Sequence, residues 1–491
     1  MTALSSSGAS SSGASSSAAR TPSSSLPDET WQRAHEQLVE TLQGLIRIRS
    51  VNPPGDEILA ARYVEQVLVD AGLRPEVVEP YPGRGSVACR VRGDGTGGEP
   101  LLLLSHLDVV PAPPELWTHD PFGGDLADGY VWGRGAVDMK GMVALEIAVL
   151  RQLADEARAA GRNPAADAIP GLTRDVLFAS TADEEAGGVH GAGWVVAHRP
   201  EWLRASGAVN EAGGVSIELA GRRFYPIQVA EKGFIRYRIT VRGTWGHGSM
   251  PREDNAAVRA ADVVSRLAPF EPPRLTPVME RLFEIAAAEL PPDSARLLRA
   301  VASADERVSN AALEQLCEPS LRRAARALLR DTMSPNMIHS GIKFNVIPGT
   351  GEVEVDVRNL PGTPEPRMRE RIRARLGEHL WNNVTVEPLH VGEPVEAAID
   401  TELFELLVAT LKAHDPDGIP LPTMAPFATD AKHTVKLGVP TYGFSPLRLQ
   451  PEDRFLELFH GVDERVSAEG LRFGLPVLYD VVRTYCGARA G

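Results

Sequence analysis

The sequence predicts an α/β fold, with a mixed, mostly parallel sheet flanked by helices and a smaller ferredoxin-like α+β domain inserted into it. Three observations predict this. Short all-apolar runs, such as Leu101–Leu104, alternate with amphipathic helical stretches early in the chain, as strands buried on both faces do when helices cover them. From Glu231 the pattern becomes half-solvated strands in the order strand-helix-strand-strand-helix-strand, the split βαβ signature. After Pro394 the first alternation resumes.

The elements follow in order. Residues 1–26 are rich in Ser, Gly and Ala, too poor in apolar area to offset chain entropy, and are expected to be a disordered tail. A first helix is expected near Asp28, with Asp28 as its N-cap and Trp31, Leu38, Leu42 and Leu45 on its apolar side. Helix Ile58–Ala71 leads to strands at Val77–Val78, Val87–Val91 and Leu101–Leu104. Helix Met142–Ala160, strand Val176–Ser180 and helix Ala192–His198 continue the alternation.

Strand Phe234–Arg242 places Phe234, Tyr237, Ile239 and Val241 as its apolar residues. It is followed by helix Ala256–Leu267, strands Ile342–Val346 and Gly351–Val357, helix Met368–Leu376 and strand Val384–Pro388. Leu- and Ala-rich helical periodicity at about 272–335 marks a helical insertion. Helix Glu402–Ala413, strand Thr441–Phe444 and helix Ala468–Tyr485 close the chain. The expected division is a discontinuous α/β domain of residues 27–229 and 394–491, with residues 230–393, insertion included, as a smaller inserted α+β domain.

Composition narrows the function. Hydrophobic residues are 43% and charged residues 24% of 491, which are globular values. With 51 Lys+Arg against 65 Asp+Glu the net charge is −14, a poor match to nucleic acid or an anionic membrane surface. Neither is expected as a partner, and no apolar run reaches the length of about 20 residues that a membrane span needs. The three cysteines, Cys89, Cys317 and Cys486, are far apart and in no Cys-x-x-Cys pair, which argues against a disulfide framework or a thiolate zinc site. A soluble cytoplasmic protein is the expectation.

Ligands in open α/β sheets bind beyond the carboxyl ends of strands, so the residues behind each apolar run matter. There stand Ser105-His106-Leu107-Asp108, Gly135-Ala136-Val137-Asp138, Asp183-Glu184-Glu185 and Asn210-Glu211-Ala212-Gly213-Gly214, with Phe459-His460-Gly461 near the C-terminus. Imidazole and carboxylate ligands without thiolate suit zinc, cobalt or manganese. Paired metals can share one carboxylate. Of the adjacent Glu184 and Glu185, one can ligate while the other takes a proton. Asp108, two residues after His106, is placed to accept its ring N–H.

The run Ser105-His106-Leu107-Asp108-Val109-Val110-Pro111, then Trp117-Thr118-His119-Asp120-Pro121-Phe122, then Gly133-Arg134-Gly135 and Asp138-Met139-Lys140-Gly141 resembles the two-zinc aminoacylase/carboxypeptidase family of metallopeptidases. That family includes aminoacylase, acetylornithine deacetylase, succinyl-diaminopimelate desuccinylase and glutamate carboxypeptidase. The resemblance covers about residues 30–485. It implies two Zn2+ per subunit, with Co2+ or Mn2+ as alternatives, and His106, Asp138, Glu185, Glu211 and His460 as ligands. Asp138 would be shared and followed by a cis peptide bond. Glu184 would be the general base and Asp108 the partner that orients His106.

Gly246-His247-Gly248-Ser249 resembles the lid histidine motif, whose imidazole stabilises the oxyanion across a homodimer. Asn345 and Arg358 resemble residues that hold substrate. For Arg358 a strand-face ion pair is the alternative. Thr429-Asp430-Ala431-Lys432 resembles a substrate loop. The resemblance thus implies hydrolysis of an amide beside a free carboxylate. The leading substrate is an N-acyl-amino acid. A dipeptidase or carboxypeptidase acting on short peptides is the alternative, and a catalytically inactive metal-binding module is a further one.

Overall fold

The computed structural model describes residues 26–450 and 453–488. Apart from Leu26, the Ser-rich tail lies outside the described residues. The larger sheet has ten strands. Its centre is Val176–Thr181, Leu101–His106, Gly207–Asn210 and Thr441–Gly443, each parallel to its neighbour. Arg84–Val91 and then Pro75–Tyr81 extend one side antiparallel, and Arg222–Glu231 follows Thr441–Gly443 on the other.

Leu101, Leu102, Leu103 and Leu104 are fully buried because helices cover both faces. Asp28–Arg47, Lys140–Ala159 and Ala468–Cys486 join one core, while Ala192–His198 packs with Trp202 and Leu203 on the opposite side. Asp28 is the first helical residue and not the cap; Pro27 holds the cap position without a side-chain bond. Leu38, Leu42 and Leu45 are buried as their spacing requires.

The smaller sheet is antiparallel, in the order Thr332–Ser340, Thr350–Asn359, Gly233–Arg242, Val384–Gly392. Helices Ala256–Leu267 and Glu365–Trp381 share its core with Ile235, Tyr237, Ile239 and Val241. This is the ferredoxin-like order, with two corrections. Phe234 is on the opposite face from that core, and Ile235 takes the inward position. The strand expected at Ile342–Val346 is Thr332–Ser340. Residues 342–345 are bends and turns, and Ile342 and Phe344 are 83% and 97% exposed. The true strand is a solvated edge carrying Pro335 at an irregularity in its register, where proline is tolerated.

The helical insertion comprises Pro277–Glu289, Pro292–Val301, Glu306–Leu316 and Pro319–Leu328. Three of the four begin with proline, whose fixed φ suits the first helical turn. Although it interrupts the smaller unit in sequence, the insertion packs on the larger sheet. Ala286, Ala295 and Leu298 share a core with Phe224, Ile419 and Leu421 of the parallel pair Arg222–Glu231 and Ile419–Ala425.

A carboxyl group is buried on helix Lys140–Ala159. Glu146 on Lys140–Ala159 is fully buried, accepts the Ser105 hydroxyl at 2.6 Å and leaves its Oε1 without a partner. Burial pushes its carboxyl well above the ordinary 4.5, against the Ser105 hydrogen bond that lowers it. The protonated form therefore stabilises the fold. That contribution is complete below about pH 4.5 and is lost as pH rises through the raised folded value. Glu146→Gln, which cannot ionise, is expected to gain Tm relative to the parent between about pH 5 and about pH 8. A Tm difference independent of pH would contradict this assignment.

Candidate metal centre

Of the acidic and imidazole residues singled out in the sequence, His106, Glu184, Glu185 and Glu211 stand where strands of the larger sheet end, while Asp138 and His460 are carried by loops. His106 closes strand Leu101–His106. Glu184 and Glu185 begin a single 3-10 turn three residues after strand Val176–Thr181. Glu211 follows strand Gly207–Asn210. Asp138 ends the loop that leads from Tyr130–Trp132 into helix Lys140–Ala159. His460 comes from the far end of the chain, after the short helix Phe455–Leu458, with a left-handed φ of 55°.

These side chains converge in two groups of three that could each hold a metal ion: His106, Asp138 and Glu211, and Asp138, Glu185 and His460. The ligand atoms of each group lie within 4.8 Å of one another. Asp138 belongs to both and gives one oxygen to each. Its Oδ1 is 3.2 Å from His106 Nε2, and its Oδ2 is 3.2 Å from His460 Nε2. His106 Nε2 is also 3.7 Å from Glu211, and His460 Nε2 is 3.1 Å from Glu185. The Asp138–Met139 bond is cis, as the family resemblance implies.

The electrostatics of these groups call for cations. Burial raises the Glu211 carboxyl to about 8 and the Glu185 carboxyl to about 7. Hydrogen bonds donated to the Asp138 and Glu185 carboxylates raise the His460 imidazole to about 10. Burial lowers the His106 pKa, but the Glu211 charge and bonds to Asp108 and Asp138 more than reverse it. Burial likewise works against the Asp138 carboxylate, yet the two imidazoles hold it below the ordinary range. Glu185 Oε1 is buried without a hydrogen-bond partner among the described residues. Three carboxylates and two imidazoles, with one carboxylate oxygen unsatisfied, form a donor set that fits two divalent cations.

A rigid surround fixes these donors. His106 Nδ1 lies 3.1 Å from the main-chain oxygen of Asp108 and 3.4 Å from its carboxylate, so the carbonyl is the nearer acceptor. The Asp108 carboxylate instead accepts the backbone N–H groups of Glu184 and Glu185, each at 3.0 Å, and the Asn52 amide at 2.8 Å. Asp108 therefore ties His106 to the turn that carries both glutamates.

Sequence reasoning missed Glu464. Fully buried, it accepts the N–H groups of Gly135, Val137 and Asp138 and the Arg134 guanidinium at 2.6–3.0 Å. Its one signal was its position four residues after His460, within the same loop. Lys140 was likewise passed over as part of a motif. Its buried ammonium donates to the carbonyls of Leu45 and Ile48, pinning the helix that follows Asp138 to the end of the first helix.

Glu184 is not in either group of donors. Its Oε1 pairs with Lys432 at 2.9 Å, and its Oε2 makes no hydrogen bond among the described residues. Thus the Thr429–Lys432 segment reaches the site through an ammonium on Glu184.

The three residues drawn from the smaller unit stand apart. Gly246–His247 pairs with Val346–Ile347, which brings Asn345 next to the histidine loop, where its carbonyl accepts the Gly248 N–H at 2.8 Å. His247 is exposed, and its Nδ1 accepts the Ser249 N–H at 3.2 Å. Arg358 Nε pairs with Asp356 at 2.7 Å, the strand-face ion pair that was the alternative to a clamp. Among the described residues no hydrogen bond or ion pair joins His247, Asn345 or Arg358 to the two metal-holding groups.

Known proteins are similar to this chain over most of its length. The N-fatty-acyl-amino acid synthase/hydrolase of Xenopus tropicalis is 27% identical over 463 residues, covering 91% of this chain and 86% of that protein. Aminoacylase-1 of Sus scrofa is 28% identical over 434 residues, covering 86% of this chain and 88% of its own. Among solved structures, an M20 family metallo-carboxypeptidase from Sulfolobus solfataricus superposes with a TM-score of 0.67 at 16% identity, covering 91% of this chain and 99% of its own. A dinuclear metal-binding peptidase of the M20 family from Bacillus subtilis has the same fold at a TM-score of 0.56 and 12% identity, covering 93% of this chain and 99% of its own. Residues 102–484 match the profile of Peptidase family M20/M25/M40, and the chain belongs to that family.

Proposed function

We propose that this chain is a two-metal amidohydrolase that removes the acyl group from an N-acyl-amino acid, with zinc as the metal and cobalt or manganese able to replace it. The carrying observation is the Asp138 carboxylate with one oxygen directed to each of two donor groups, beside a Glu184 left out of both. The names of the relatives, an acyl-amino acid hydrolase and an aminoacylase, support the substrate class.

Two cations held by His106, Asp138, Glu185, Glu211 and His460 would polarise the scissile carbonyl and acidify the attacking water. The remaining work falls to side chains. Lys432 and the Asp108-held backbone fix Glu184 in place, leaving Oε2 to take the proton of that water. Glu184 then delivers the proton to the departing nitrogen. Because the Ser249 N–H donates to His247 Nδ1, the neutral ring carries its proton on Nε2, where it can donate to an oxyanion. Among the described residues of one chain no hydrogen bond or ion pair joins His247 to the metal-holding groups. We therefore read the smaller unit as a lid and homodimerisation domain through which His247 serves a site, with Asn345 and Arg358 on the substrate side. The unpaired thiols Cys89, Cys317 and Cys486 support the reducing cytoplasm we propose as its location.

Three outcomes follow from this reading. Glu184→Gln should keep its metal content by elemental analysis while kcat on an N-acyl-amino acid falls by about 10²–10⁴; a variant with near-parental turnover would remove Glu184 as the base. Glu464→Gln should weaken metal affinity by about 10–100-fold in competition titrations, because Glu464 positions the Asp138 loop. A chelator should abolish turnover and added zinc or cobalt should restore it, whereas chelator-resistant turnover would exclude metal-dependent hydrolysis.

A further inference from the structure

A cavity of about 430 Å³ lies between the helical insertion and the larger sheet. Strand Ile419–Ala425 contributes Leu421 and Met424 to one wall, and the four insertion helices contribute residues such as Phe283, Ala286, Leu298 and Leu313 to the other. Among the described residues that line it, only Arg323 carries a charge. An amino-acid head group or a peptide backbone would lose its hydration in such a space without finding partners, whereas an alkyl chain loses nothing polar there.

The position of the cavity identifies which alkyl chain it can take. Ala212 and Gly213, which directly follow Glu211, line it, and so does Phe459, which directly precedes His460. One residue from each of the two metal-holding groups is therefore the chain neighbour of a cavity wall. A small void beneath Glu211 shares Ala212, Val215, Phe455 and Phe459 with the same wall.

We propose that this chamber binds the acyl chain of the substrate, so that the preferred substrates are amino acids carrying medium or long alkyl acyl groups and not acetyl. The proposal rests on the deacylase reading above and adds to it where the acyl group goes and what selects it. A water-sized group occupies about 30 Å³ in a liquid, so the chamber takes on the order of ten methylene-sized groups. Burying one methylene favours binding by about fourfold. The gain should accumulate with chain length and level off when the chamber is full.

The test is a series of N-acyl derivatives of one amino acid, from acetyl to hexadecanoyl, hydrolysed by the metal-loaded enzyme. kcat/KM is expected to rise along the series, with dodecanoyl preferred over acetyl by roughly 100-fold or more. In Ala286→Phe, which places a ring in the chamber, the dodecanoyl-to-acetyl ratio should fall at least about tenfold. Should that variant not fold, binding of the same acyl-amino acids to metal-loaded Glu184→Gln, followed by calorimetry, reads the same preference. A dodecanoyl-to-acetyl ratio near one overturns the chamber and leaves the deacylase reading standing. Hydrolysis of dipeptides with no acyl-amino acid turned over would sink the deacylase reading instead. The chamber is then judged by 1-dodecanol, which has no carboxylate to reach the metals: saturable binding to the parent that Ala286→Phe weakens supports an alkyl site, and no binding overturns it.

Discussion

Three carboxylates, Asp138, Glu185 and Glu211, are drawn together in a space largely closed to solvent, and like charges so placed repel one another and lose hydration. That arrangement constrains everything around it. The raised values of Glu185 and Glu211 show the cost of holding them without sufficient positive charge. The two imidazoles, both shifted upward, show where positive charge is most needed. Divalent cations bound by the same five residues meet that demand more fully than protons can, because each brings two charges and accepts several lone pairs at once.

A donor set of this kind cannot be assembled by one local segment. Each ligand is supplied by the end of a different strand or by a loop, and each loop is held by a buried group that is not itself a ligand. Asp108 joins the His106 strand to the Glu184–Glu185 turn through two backbone N–H groups. Glu464 collects three N–H donors of the Gly133–Asp138 loop, those of Gly135, Val137 and Asp138, and it lies in the segment that also carries His460. One anion thereby couples the shared carboxylate to the remote C-terminal ligand. Backbone N–H groups serve well for this purpose, since they orient a loop without adding further charge to a site already rich in it.

What the sequence made legible follows from the same physics. His106, Glu185 and Glu211 sit just behind apolar runs, and runs such as Leu101–Leu104 are readable because strands buried on both faces leave continuous hydrophobic stretches. Glu464 was not legible, because its partners are main-chain groups more than 300 residues away, and an isolated Asp-Glu pair carries no pattern. Edge strand Thr332–Ser340 was missed because it is mostly solvated, while the exposed apolar residues Ile342 and Phe344 drew the assignment downstream. For Arg358 the sequence left a clamp and a strand-face ion pair side by side, because Asp356 lies two residues away on the same face of its strand, within reach of its guanidinium.

The insertion shows how chain order and packing can diverge. Its helices leave and re-enter the smaller unit, so sequence position alone assigns them to it. Their apolar residues nevertheless need a large apolar partner, and the smaller sheet already commits its covered face to two helices. The pair Arg222–Glu231 and Ile419–Ala425 at the margin of the larger sheet offers Phe224, Ile419 and Leu421, which would otherwise face water. Covering that margin removes an apolar surface, and it also sets a wall of leucine, phenylalanine and alanine beside the residues that flank Glu211 and His460. The burial that secures the sheet margin and the apolar surface next to the metal centre are thus consequences of the same packing.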